Sequence, residues 1–282
     1  MILNAFYRSK DFRPAYGHLH ELRALVPEKT PYLACTATAT KSIRNEIIKN
    51  LDMVGCDFVF TSPDRENIYY EVKARSDIES DMAPYVHSLQ LHLVKSPKII
   101  FYCQSLNMCA DLYSHFLLEL GDKVCYPTSA EQITANRLIG MFHSRTTECN
   151  KNVLLNSLTV LEGTIRVVFA TSALGMGVHL VGVNTIIHYG APSSIDDYFQ
   201  GSRRGGRSGE KARSIVFWTP RDCPLKTTPK NAHDREVAAV RHYLENETVC
   251  RRKWLLEYFD QSISSTCLES EECCDICNAD SM

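Results

Sequence analysis

Four runs of this chain, KIIFYC at 98–103, IRVVFAT at 165–171, TIIHYG at 185–190 and RSIVFWT at 213–219, are rich in β-branched and aromatic residues and nearly continuously apolar. A strand apolar on both faces must be covered on both faces, the condition of a parallel sheet wrapped by helices. Helical signals fall between them. YYEVKA from residue 69 reads as a strand, Tyr85, Leu89 and Leu93 mark a helix after it, and NMCADLYSHFLLEL at 107–120 sets Cys109, Leu112, Phe116 and Leu120 on one face. The alternation predicts a doubly wound α/β domain. An earlier β-α-β unit is predicted from PYLACT at 31–36, KSIRNEIIKNL with Ile43, Ile47, Ile48 and Leu51 on one face, and DFVFT at 57–61. SPDREN at 62–67 is a polar, proline-bearing connector, and past Pro220 the pattern changes to two helices, roughly 233–246 and 248–259, and a cysteine-rich tail. The expected division is 1–66, 67–220 and 221–282.

In open parallel sheets ligands bind where strand C-termini give way to loops. VVFATSALGMGVHL places Thr171 and Ser172 at such an end, with Gly175 and Gly177 able to bring backbone close to a phosphate. DDYFQGSRRGGRSGEKA then sets Arg204 and Arg207 three apart beside Gly205, Gly206 and Gly209. Guanidiniums stay charged and grip phosphate oxygens in a planar fork, so the pattern suits a polyphosphate. A net charge of -2 gives no global pull toward nucleic acid, which leaves local clusters such as Arg203, Arg204, Arg207, Lys211 and Arg213 to supply it. No apolar run is long enough to span a membrane, and Met1 to Lys10 has no secretory signal pattern, so a nuclear or, in a bacterium, cytoplasmic location is expected.

Five of the twelve cysteines lie in the last 33 residues. Cys250 is followed by Cys267 after sixteen residues, and Cys274 and Cys277 form a C-x-x-C. Four thiolates close a tetrahedral zinc shell without an open position, a structural site. The spacing selects Cys250, Cys267, Cys274 and Cys277 and leaves the adjacent Cys273 as a spare. The other seven read as buried free thiols.

The ordered set DFRPAY at 11–16, TATAT at 36–40, PDRENIYYEV, IIFYCQS, ATSALGMGV, HYGAP and DDYFQGSRRGGRSG, closed by CRRKWLLEYF and CDIC, resembles the RecQ family of superfamily-two DNA helicases from about Asp11 to Cys277. The resemblance implies a second RecA-like motor domain, the tail of a first one, and a zinc-binding helical hairpin. It implies an ATP-dependent 3′-to-5′ DNA helicase of repair, recombination or replication. Arg204 and Arg207 would reach the γ-phosphate of an ATP held by the first motor domain, with Gln200 also at the nucleotide. Ser105 and Thr171 match positions that contact the phosphates of the tracked strand, while Arg13 and Thr38 fall in motifs that face or sense single-stranded or partly duplex DNA.

Two departures bear on this. Arg203 stands where the family has glycine, which would strain the backbone if that position needs positive φ. Neither a G-x-x-x-x-G-K-[ST] loop nor an Asp-Glu-Ala-His stretch for Mg²⁺ occurs, so a truncated helicase without ATPase of its own is expected. A non-catalytic DNA-binding or adaptor protein is the alternative, and an RNA helicase of the same superfamily a third reading.

Overall fold

The structure, a computed structural model, describes residues 14–27, 30–35, 40–53, 55–59, 62–174, 178–224, 231–259 and 272–279. The chain divides into two compact units, Met1–Asp64 with Lys253–Thr266, and Arg65–Arg252 with Cys267–Met282.

In the first unit, helix α1 (Lys41–Asn50) is capped by Thr40, whose Oγ1 accepts a hydrogen bond from the Ile43 amide at 3.3 Å. Its apolar face buries Ile47 and Leu51 against Leu19, Ala34, Ile43 and Met53, as the spacing predicts. The strands predicted at 31–36 and 57–61 do not form among the described residues. Cys35 makes an isolated bridge, residues 57–59 carry no strand, and Leu33, Phe58 and Val59 are exposed. A strand persists through a neighbour's hydrogen bonds, and the six-stranded ladder lies wholly in the second unit.

That ladder runs β1 (Ile68–Ala74), α2 (Ile78–His92), β2 (Lys98–Cys103), α3 (Leu106–Leu120), β3 (Ile139–Phe142), α4 (Glu148–Leu158), β4 (Val167–Ala170), β5 (Val183–Tyr189), α5 (Ile195–Ser202) and β6 (Ala212–Trp218). Its strands are ordered β1-β6-β5-β2-β4-β3, every pair parallel. The expected doubly wound α/β class is what forms. Successive residues of a strand face opposite ways, so β2 sends Ile99, Phe101 and Cys103 toward Leu112 and Phe116 of α3, and Ile100 toward Leu154 and Leu158 of α4. Phe101 is fully buried among Tyr85, Phe116 and Phe169, with ring centroids 5.7, 5.9 and 5.1 Å away; each such ring contributes about 2–3 kcal/mol by burial. The edge strand β3 and helix α4 escaped the sequence reading. Four residues, IGMF, are too short for a periodic signal, and ECNKNVLLNSL buries only Leu154 and Leu158.

After the sheet come α6 (Ala232–Leu244), α7 (Arg251–Phe259) and α8 (Asp275–Ala279), the first two matching the helices expected past Pro220. No helix among the described residues is long and apolar enough to cross a membrane.

Candidate functional site

The arginine turn is built by α5 and the glycine-bearing loop at its C-terminal end. Ser194 caps α5, its Oγ accepting from the Asp197 amide at 3.1 Å, and the helix carries half-buried Gln200 before ending at Arg203. Arg203 sits at φ −70°, ψ 1°, an ordinary right-handed conformation, and its guanidinium lies 5.4 Å from the Phe199 ring centroid. The strain that a side chain there would cause under positive φ is absent. The position that does demand glycine is Gly206, at φ +59°, where a Cβ would stand 2.5 Å from both Asn67 Nδ2 and Glu210 O.

Those close atoms are a clamp that the sequence reading passed over as a linker. Asn67 Nδ2 donates to Gly206 O at 2.8 Å and to Glu210 O at 2.6 Å. Arg65 also donates to Gly206 O, and the Gly206 amide donates to Val183 O at 2.8 Å. The connector PDREN thus ties the turn to the starts of β1 and β5. The pairing of Arg65 and Asn67 two residues apart, just before a strand, was the available signal.

From this turn Arg204 points inward, only 6% exposed, and its Nη1 is buried without a hydrogen-bond partner among the described residues. Arg207 is exposed, its Nη1 donating to Val178 O at 2.9 Å. Partial burial first, then the like charges of Arg204, Arg65 and Arg203, hold the Arg207 guanidinium below its ordinary pKa. Beside them the buried Tyr102 hydroxyl is pushed up to about 12 by desolvation, with Arg204 and Arg207 drawing it back. Converging positive charge, with one buried Arg204 nitrogen lacking a hydrogen-bond partner among the described residues, is an arrangement that an oligophosphate relieves.

Under the turn runs a buried aromatic column. His188 stacks on Tyr102 at 5.1 Å and meets Tyr198 edge-on at 5.1 Å, and Tyr198 lies 5.2 Å from Tyr243. Burial lowers the His188 pKa to about 3, so the ring is neutral. Gly201 permits this approach, since a Cβ there would stand 2.9 Å from His188 Nε2.

The strand-end residues fall where the sequence reading places them. Ser105 Oγ caps α3, accepting from the Met108 amide at 3.1 Å, and retains a proton to donate outward. Thr171 follows β4, its Oγ1 accepting from the Ala173 amide at 3.4 Å. Both lie on the C-terminal edge of the sheet, because β2 and β4 pair in parallel. Arg13, Thr38, Gly175 and Gly177 lie outside the described residues.

The thiol cluster brings together Cys250, Cys273, Cys274 and Cys277, with all four sulfurs within 4.8 Å of one another. Cys250–Cys273, Cys274–Cys277 and Cys274–Cys250 separations are 3.4, 3.5 and 3.9 Å. A tetrahedron of Zn–S bonds has sulfur edges of about 3.8 Å, so the cluster has the dimensions of a zinc shell. Cys273, set aside by spacing, is part of it, and Cys267 lies outside the described residues. The cluster is latched to the sheet. The Tyr70 amide donates to Cys273 O at 3.3 Å, Asp275 accepts from the Val72 amide at 3.0 Å and from Arg251 Nε at 2.5 Å, and Arg252 donates to Glu66 O and Ile68 O at 2.9 and 2.8 Å.

Comparison with known proteins agrees with this architecture. The helicase conserved C-terminal domain matches residues 84–209, and the RecQ zinc-binding domain matches residues 214–278. The ATP-dependent DNA helicase hus2/rqh1 of Schizosaccharomyces pombe is 28% identical over 278 residues, covering 95% of this chain and 19% of that protein. The ATP-dependent helicase wrn-1 of Caenorhabditis elegans is 29% identical over 284 residues, covering 95% and 25%. The chain therefore spans 19% and 25% of the length of these two relatives. In fold it is similar to the Mycobacterium smegmatis helicase Lhr bound to ssDNA and AMP-PNP, with a TM-score of 0.56, 18% identity, and coverage of 81% of this chain and 28% of that one. With the two domain matches in sequence order on one RecA-like sheet and its thiol module, the chain belongs to the RecQ family of helicases, of which it holds the C-terminal helicase and zinc-binding regions.

Proposed function

We propose that this chain supplies the second motor half of an ATP-driven, 3′-to-5′ RecQ-type DNA helicase: it answers a nucleotide held elsewhere and grips single-stranded DNA. The observation that carries this reading is the convergence of Arg204, Arg207 and Arg65 at one turn, with a buried Arg204 nitrogen that has no hydrogen-bond partner among the described residues. Arg204 and Arg207 would offset charge developing on a terminal phosphate, a contribution worth roughly 10³ to 10⁵ in rate in phosphoryl transfer. Gln200 lies in the last turn of α5, four residues before Arg204. Mg²⁺ and the bulk of an ATP would be held by a P-loop, which this sequence does not contain. Ser105 and Thr171 would contact the DNA backbone, a readout indifferent to base sequence.

Zinc, when bound, supplies structure and no chemistry. Cys250, Cys274 and Cys277 would hold it; the C-x₁₆-C spacing favours Cys267 as the fourth ligand, whereas among the described residues Cys273 completes the cluster. Metal analysis tests this: Cys267→Ser should lose the zinc and Cys273→Ser should retain it, and the opposite result would assign Cys273.

The functional test is ATPase with zinc, Mg²⁺ and single-stranded DNA. This chain alone should show no stimulated turnover; turnover abolished by Arg207→Ala would overturn the division of labour. Joined to a first motor domain, the same substitution should reduce kcat by at least about 10³. Competition between DNA and RNA strands separates the DNA reading from an RNA helicase.

A further inference from the structure

The row of strand ends continues past Thr171. The pairings Tyr102↔Ala170 and Ala170↔Phe142 set residues 103, 171 and 143 level along one edge, and the Thr171 amide donates to Phe142 O at 3.3 Å. Neighbouring strands lie about 4.8 Å apart, so His143 stands one strand beyond Thr171, and Arg145 comes next in the turn leading to α4.

That turn is firmly held. The His143 amide donates to Thr146 Oγ1 at 3.1 Å, Thr146 Oγ1 donates to Met141 O at 3.2 Å, and the Arg145 amide donates to His143 Nδ1 at 3.2 Å. Thr147 then caps α4, its Oγ1 accepting from the Asn150 amide at 3.4 Å. On this turn Arg145 is exposed and has no carboxylate partner among the described residues, whereas Lys151, Lys211 and Arg213 pair with Glu148, Glu272 and Glu71. His143 is held below its ordinary pKa, first by burial and then by the charges of Arg145 and Lys151, so the turn stays positive through Arg145 without relying on a charged histidine.

We infer that Arg145 is a phosphate-contacting residue that carries the single-strand path from Ser105 and Thr171 across the edge strand β3. A guanidinium on a fixed turn, two residues past the strand end that lies level with Thr171 and without a carboxylate partner among the described residues, has the chemistry for a phosphodiester oxygen. The inference rests on the reading that this edge of the sheet carries the strand. The contact adds affinity without base preference.

The test is fluorescence anisotropy of the full chain with a labelled oligothymidine, without nucleotide, over a salt series. Arg145→Ala should weaken binding about tenfold and reduce the log–log salt slope by about one, while Arg145→Lys keeps the slope. Lys123→Ala is the control. It lies beyond the far end of α3, which leads about 22 Å back from the strand ends, and its binding should match the parent chain. Because Arg145 is exposed, the melting temperature should not move. If Arg145→Ala binds as the parent does while the Ser105→Ala/Thr171→Val double variant is weakened, the strand path stands and the Arg145 inference falls. If the parent chain binds no single strand even at low salt, both fall.

Discussion

Within SRRGGR, two positions three residues apart have opposite tolerances, and their backbone angles say why. Gly206 combines φ +59° with no room for a Cβ, so Gly206→Ala should cost about 2–3 kcal/mol, read as a lowered urea midpoint. Arg203 occupies φ −70°, so Arg203→Gly should relieve nothing and should lower stability slightly through added backbone freedom. A gain in stability from Arg203→Gly would contradict the observed conformation. Asn67→Ala removes two loop hydrogen bonds, leaving Glu210 O without its donor and Gly206 O with Arg65 alone, and should cost about 2 kcal/mol. Hydrogen exchange should quicken at residues 205–210 before it does in β2 or β4. None of these three tolerances could be read from the letters. Glycine content marked the turn, but only the backbone distinguishes the glycine that must stay from the position where an arginine is accommodated.

Among elements, the thiol module doubles as an edge cover for the sheet. β1 is a terminal strand, and its outer side meets Cys273–Asp275 through the Tyr70 and Val72 amides. An uncovered edge invites pairing with other chains, so metal retention and edge protection are linked. Chelation of the zinc should raise hydrogen exchange at Tyr70 and Val72 while leaving the interior strands β2, β4 and β5 protected, and should increase concentration-dependent aggregation. Asp275→Ala should reproduce the exchange change with zinc still bound, because the carboxylate, and not a thiol, receives the Val72 amide and Arg251. Equal protection with and without zinc would rule out the linkage. The same module meets the arginine turn's supporting column at Tyr243, whose carbonyl accepts from Arg251 Nη1 at 3.2 Å and whose ring lies against Tyr198 of α5. The pairs Arg251–Asp275 and Tyr198–Tyr243, with Arg251 on the Tyr243 carbonyl, join CRR, CDIC and DDYFQ into one connected structure.

At the scale of the whole molecule, a net charge of -2 means that binding to nucleic acid depends on where the cations sit. Single-strand affinity should therefore fall steeply with salt, by a slope set by a few arginines and not by overall charge. The apolar runs at 98–103, 165–171, 185–190 and 213–219 were enough to specify a covered parallel sheet, and the helices at 107–120 and past 232 came from spacing alone. These are local signals, since burial on both faces and a 3.6-residue period are written into adjacent residues. The arginine pair and the C-x-x-C were legible for the same reason. Among the described residues the strands predicted at 31–36 and 57–61 do not form, because a strand depends on a neighbour that no local pattern names, and IGMF became a strand because such a neighbour exists in β4. Arg65 and Asn67 against Gly206, the Tyr102–His188–Tyr198 column, Cys273 beside Cys250, and His143 level with Thr171 are juxtapositions of residues far apart in the chain. The sequence by itself determined the fold class, the phosphate-gripping residue types and the thiol count. Only the tertiary structure decided which side chains meet, because pairing across a sheet is a property of strand order and register.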